Sequence, residues 1–286
     1  MSVPQKLLMG AIGFAAILSL SAALADKASY TWFFLSIAAL AGLSAFFRFS
    51  KKQKIQNTPF KPEWRAILKE EVPFYTELST ADKAIFEERV KTFFSDVDIT
   101  GVGFEIDDTC RLLVAASAIV PFWELPFWNY GDLHEVLVYP DAFDHDYQID
   151  KDHHILGMVG SGRNMDHVMI LSKKALYMGF ENLTNKSHVG FHEFAHLLDK
   201  SDGSIDGVPR SFLPNELVNP WTKLVHREMK KIRNQESDIN PYGATNESEF
   251  FAVVSEYFQK RPDLMKRKHP DLYKMLSLIY HREHNT

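Results

Sequence analysis

The apolar residues of this chain are concentrated at one end. Leu7 to Ala25 and Tyr30 to Phe47 are two runs without a charged side chain, separated only by Asp26-Lys27-Ala28-Ser29. Each run is about 18 or 19 residues, the length a helix needs to span a bilayer. Arg48, Lys51, Lys52 and Lys54 follow the second run, and a basic cluster in that position is held on the cytoplasmic face. The expectation is a transmembrane helical hairpin over residues 1–50, touching lipid through residues 7–47, in a two-span protein of the inner (cytoplasmic) membrane. Ala23-Leu24-Ala25 behind Lys6 also fits a signal-peptide cleavage pattern. Even with the first run removed, the basic cluster keeps everything downstream inside. Leu112 to Trp123 is too short for a span, contains Pro121, and reads as buried core.

Residues 51–61 are polar and basic and end near Pro59 and Pro62, which makes them a linker to a domain over residues 62–286. Across the chain, 45% hydrophobic against 24% charged content is too apolar for disorder, and 286 residues suffice for one sizeable domain with an appendage. Lys and Arg number 32 against 37 Asp and Glu, a net charge of −5, which excludes a general nucleic-acid binder because counterion release needs a basic face. A single cysteine, Cys110, excludes an internal disulfide and a cysteine-rich zinc knuckle. With no base near it, Cys110 reads as a buried free thiol. Thr80 opens an amphipathic pattern through Ile85, Phe86, Val90 and Phe93-Phe94. Leu133 to Tyr139 and Val168 to Leu171 are short strand-like runs, and helical spacing returns at Val189–Leu198, Pro220–Ile232, Ser248–Gln259 and Asp271–Arg282. The fold class is α+β, mostly helical, with a small central sheet preceded by two transmembrane helices.

His192-Glu193-Phe194-Ala195-His196 is H-E-x-x-H on a proline-free apolar run. On a helix, residues four apart share a face, so both imidazoles can reach one tetrahedral ion while Glu193 leans toward the open position. His188 lies a further turn before His192, and a straight helix does not wrap three ligands round one small ion, so it reads as the helix approach or a local polar contact. His145, His153, His154 and His167 lie in polar, turn-like segments and read as solvated. A catalytic ion needs a third protein ligand, and the stretch Asn246 to Phe258 offers Glu249 and Glu256, seven residues apart on the buried face of one helix. Helix geometry does not choose between them. Asp199, three residues after His196, can orient a ligand imidazole or cap a turn. Gly157, Gly160 and Gly162 read as a loop, because no nucleophile elbow or phosphate-loop lysine accompanies them.

Gly190 to Asp199, Asp206-Gly207-Val208-Pro209 and Glu249-Phe-Phe-Ala-Val-Val-Ser-Glu-Tyr-Phe258 resemble the Mlc titration factor A family of zinc-dependent peptidases. Leu113 to Ala116, the strand ending at Pro140, and His269-Pro270-Asp271-Leu272-Tyr273 extend the resemblance over about residues 62 to 282. It implies a zincin-like metallopeptidase domain and one Zn2+ per chain on His192, His196 and Glu249. It implies Glu193 as general base, Tyr242 as a transition-state donor, and a peptide or protein substrate. It also implies a second role, binding a cytoplasmic transcriptional regulator of sugar-uptake genes, which on this chain would be a membrane-tethered sequestering function. Two features depart from the family: Lys173 stands where a tryptophan commonly follows the Leu-Ser of the strand, and typical members lack the hairpin. Val168 to Leu171 is expected to be an edge strand that receives the substrate by strand addition. The basic clusters Lys230-Lys231-Arg233 and Lys266-Arg267-Lys268 read as solvated helix faces that an acidic partner could also meet.

Overall fold

Short polar side chains start the helices where apolar periodicity begins. Ser79, Asp107, Ser172 and Asn246 each accept a hydrogen bond from the backbone N–H three residues on, satisfying a donor the first helical turn leaves free. The computed structural model describes residues 28–125, 130–142, 155–160 and 167–280. It divides into two units, Met1–Thr58 and Pro59–Thr286. In the first lies α1 (Ala28–Asn57), a single helix of 30 residues.

The second unit is mostly helical α+β. Helices α2 (Pro62–Glu71), α3 (Pro73–Glu77) and α4 (Thr80–Asp96) lead into strand β1 (Asp98–Gly101) and helix α5 (Asp108–Ile119). Then come β2 (Glu135–Tyr139), β3 (Gly157–Val159), β4 (Val168–Ser172), α6 (Lys173–Glu181) and α7 (Val189–Asp199). The chain continues with α8 (Asn215–Arg233), α9 (Glu247–Lys260), α10 (Pro262–Lys268) and α11 (Pro270–Tyr280). The sheet order is β1-β2-β4-β3, with β1, β2 and β4 parallel and β3 antiparallel to β4. Helix α7 is buried along its whole length from Gly190 to Asp199. It packs against β3 and β4 on one side and against α5, α6 and α9 around it.

Among the described residues no helix is long and apolar enough to cross a membrane. The expectation of two transmembrane helices is therefore corrected, and with it that of a two-span inner-membrane protein whose domain faces the cytoplasm. The first run, Leu7 to Ala25, lies outside the described residues, and the second lies within α1. The physical reason is that the second run does not form a helix of its own: it is part of a longer helix whose last third carries Arg48, Lys51, Lys52 and Lys54. Tyr30-Thr31-Trp32 opens the second run, Ser36, Gly42 and Ser44 interrupt it, and the helix continues through Lys51, Lys52 and Lys54 as far as Asn57. The segment expected to be a linker is thus helical over its first half.

Two further expectations change. Gly157 to Val159 is a strand, so the glycine-rich stretch is not simply a loop. Val168 to Ser172 is interior, paired with β2 on one side and β3 on the other, so among the described residues β1 and β3, not β4, are the edge strands.

Asp238, in the loop after α8, gathers four side chains. Its carboxylate accepts from Lys186 Nζ at 2.7 Å, Lys268 Nζ at 2.9 Å, His269 Nε2 at 2.7 Å and the Tyr257 hydroxyl at 3.1 Å. Burial alone would raise its pKa, but the hydrogen bonds from Lys186, His269 and Lys268 outweigh that and hold it well below the carboxylate range. A carboxyl depressed in the folded state stabilises above its unfolded pKa of about 3.9, and that contribution fades as pH falls through the folded value. Asp238→Asn is expected to cost on the order of 1 kcal/mol at pH 7 after discounting for solvent. Its melting temperature should converge on wild type as the pH drops below about 4. A deficit unchanged between pH 7 and pH 3 would refute the ionic origin.

Candidate metal centre

The buried face of α7 and the first turn of α9 bring three donor atoms together. His192 and His196 are one turn apart on α7, and Asn246 caps α9 so that Glu249 stands in its opening turn with its backbone N–H bonded to the Asn246 side chain at 2.9 Å. His192 Nε2 lies 3.0 Å from Glu249 Oε2 and 3.2 Å from His196 Nε2, and His196 Nε2 lies 3.6 Å from the same oxygen. A tetrahedral ion bonded to such nitrogen and oxygen donors at about 2.0–2.1 Å requires about 3.3 Å between them. The three separations bracket that edge. No other cluster of three metal-capable side chains occurs among the described residues.

The electrostatics favour a cation. Glu193, Glu249 and Glu256 bring three carboxylates to two imidazoles in a buried setting. Burial opposes charge on His192, yet the hydrogen bonds to Glu249 and Glu256 push its pKa well above the imidazole range. Burial would raise Glu249, but His192 and His196 hold it down to about 2. Glu193 is 4% exposed, and burial raises its pKa against the opposing pull of the two histidines. Over Glu193 lies β3. An ideal Cβ at Gly157 would stand 2.5 Å from Glu193 Oε1, so only glycine lets the strand approach this closely.

Tyr242 reaches the site from the helical turn Pro241–Ala244, anchored by the Asn240 side chain accepting from the Tyr242 N–H at 3.0 Å. Its ring centre is 6.0 Å from that of His192, and it is 53% exposed, at the rim of the site. Partial burial, then the Glu249 and Glu193 carboxylates, raise its pKa and keep the phenol protonated.

His188 is the N-cap of α7. Its Nδ1 accepts the Phe191 N–H at 3.3 Å and its ring stacks on Phe191 at 3.8 Å, away from the donor cluster. Asp199 is fully buried and accepts the Gly207 N–H at 2.7 Å, which ties down the turn after α7. Burial raises its carboxyl to about 6. Glu256, left open beside Glu249 by spacing alone, lies 2.7 Å from His192 Nδ1 through Oε1. Cys110 is buried and its thiol is pushed up to about 12 by burial. Of the remaining histidines, His167 is exposed and bonds to the Asp132 carbonyl, whereas His145, His153 and His154 lie outside the described residues. Half of the residues in the basic clusters are engaged in ion pairs or hydrogen bonds: Lys231 pairs with Glu228, Lys268 with Asp238, and Arg233 donates to the Ala244 carbonyl. Sequence reasoning passed over Gly157 as a contact of Glu193. The available sign was a glycine inside a three-residue strand, which often marks a close backbone approach.

Comparison with known proteins bears on this geometry. The family model described as glucose-regulated metallo-peptidase M90 matches residues 46–281. An uncharacterized protein of Synechocystis is 32% identical over 255 residues, covering 85% of this chain and 92% of that protein. Mlc titration factor A of Escherichia fergusonii is 28% identical over 243 residues, covering 79% of this chain and 89% of its own length. Mlc titration factor A of Salmonella paratyphi B is 26% identical over 226 residues, with 74% and 83% covered.

Proposed function

The chain belongs to the glucose-regulated metallo-peptidase M90 family, and from that premise we propose that it hydrolyses peptide bonds with one zinc ion held by His192, His196 and Glu249. The observation that carries this is the trio of donor separations of 3.0, 3.2 and 3.6 Å beside a buried Glu193. When bound, zinc supplies Lewis acidity, polarising the scissile carbonyl and lowering the pKa of water toward about 7.

Glu193 acts as general base, taking a proton from the attacking water and passing it to the leaving amine. Its burial favours this, because a carboxylate out of water is more basic and holds a transferred proton more readily. Tyr242, protonated and at the rim, donates a hydrogen bond to the carbonyl oxygen as negative charge develops there. The outer edge of β3, unpaired among the described residues, suits an extended substrate. Leu156 and Gly160 bond across to β4, so by alternation the backbone groups of Gly157 and Val159 point outward, where a peptide can add as a further strand.

A second role, binding a transcriptional regulator, is favoured by the similarity to proteins named Mlc titration factor A over 79% of the chain. It is compatible with cleavage and would survive loss of the base. The test of the main proposal is cleavage of a broad peptide library by the full chain before and after chelation. Cleavage is expected to vanish with the chelator and return on adding zinc at one equivalent. Cleavage indifferent to the chelator, or none by the zinc-loaded chain, would move the function to binding.

A further inference from the structure

Glu256 is a buried carboxylate, 6% exposed, to which the chemistry above gives no part. It lies two turns after Glu249 on α9, on the same face. Its Oε1 is 2.7 Å from His192 Nδ1, and its Oε2 accepts the backbone N–H of His188 at 2.5 Å. One carboxylate thus holds both the ring of His192 and the residue that starts its helix.

An ionised carboxylate accepts hydrogen bonds and donates none, so the nitrogen of His192 that faces Glu256 must carry the proton. Nε2, the nitrogen that faces Glu249 and His196, is then the one left to bind an ion, giving up on metal binding the proton it shares with Glu249. His196 has no such support: its Nδ1 is buried with no hydrogen-bond partner among the described residues. We propose that Glu256 is a positioning residue that fixes the tautomer and orientation of His192 for the metal, a support that the buried Nδ1 of His196 lacks among the described residues. This rests on the reading of His192 as a metal ligand.

The bland alternative is that Glu256 only pins the start of α7 through His188. Glu256→Gln separates the two. The amide keeps one acceptor oxygen and gains donors, so it can satisfy the fixed His188 N–H only by turning its NH2 toward His192. The imidazole can answer by moving its proton to Nε2, which removes the lone pair meant for the ion.

The experiment is zinc affinity by competition with a calibrated chelator, on full-length wild type and Glu256→Gln, with thermal unfolding to show that both are folded. The expected result is a 10- to 100-fold weaker zinc affinity in the variant, on the order found for partners of ligand imidazoles. Ring 15N–1H spectra of histidine-labelled, zinc-loaded wild type should show His192 protonated at Nδ1, an observation that does not depend on the variant folding. If wild type binds zinc and the variant binds it equally tightly, or if His192 carries its proton on Nε2, the positioning role is overturned. If wild type binds no zinc, the ligand reading of His192 fails first and the inference falls with it.

Discussion

Replacing Glu193 with glutamine lowers peptide cleavage by about 10²- to 10⁴-fold, the span typical of a positioned general base. The amide fills the same space, so the packing of α7 against β3 should persist, but it cannot accept the proton of the attacking water. His192, His196 and Glu249 are untouched, and their donor separations of 3.0 to 3.6 Å do not involve Glu193. Bound zinc should therefore be unchanged, and the loss should appear in kcat more than in KM, because the missing contact is made in the transition state. Activity within a few-fold of wild type would remove Glu193 from the mechanism.

Gly157→Ala produces the second large effect, and it does so without changing any group that performs chemistry. Its Cβ would fall 2.5 Å from Glu193 Oε1, 2.8 Å from Glu193 Cγ and 2.8 Å from Val189 Cγ2. These contacts cannot coexist, so either β3 lifts from α7 or Glu193 swings away. Overpacking of this kind costs about 1–3 kcal/mol of stability. A base displaced by about 1 Å costs on the order of 10² in rate. Zinc content should hold, because Gly157 does not touch the three donors. Wild-type cleavage by Gly157→Ala would show that neither the edge strand nor the base position matters as described.

The legible parts of this molecule are those governed by local periodicity. The helix bearing His192 and His196 could be read because its apolar residues keep helical spacing through Leu198 without a proline, and two histidines four apart then share a face. Spacing stopped short of Glu249, since Glu249 and Glu256 lie two turns apart on one face. The resemblance chose between them, and the fold shows how differently they are used: Glu249 faces Nε2 of His192 and Glu256 faces Nδ1.

What could not be read depends on tertiary context. Gly157-Met158-Val159 is too short for alternation to signal a strand, and its glycine argues for a turn until α7 is known to lie against it. Val168 to Ser172 has strand composition, but whether it is an edge depends on chain order in the sheet, and β3 pairs back to cover it. Asp238 looks like any loop acid until Lys186, Tyr257, Lys268 and His269 converge on it. The expected hairpin failed for a different reason: the second apolar run is continuous with the basic segment after it in one helix, Ala28–Asn57, and no described helix is long and apolar enough to cross a membrane.

The central claim is that three side chains hold one zinc ion and a fourth uses it. Zinc content and peptide cleavage, measured on the same preparations of full-length wild type and Glu193→Gln, test this most directly. One equivalent of zinc in both, with cleavage by wild type alone, is the predicted result. Wild type without zinc, or a variant that cleaves as well as wild type, would contradict it.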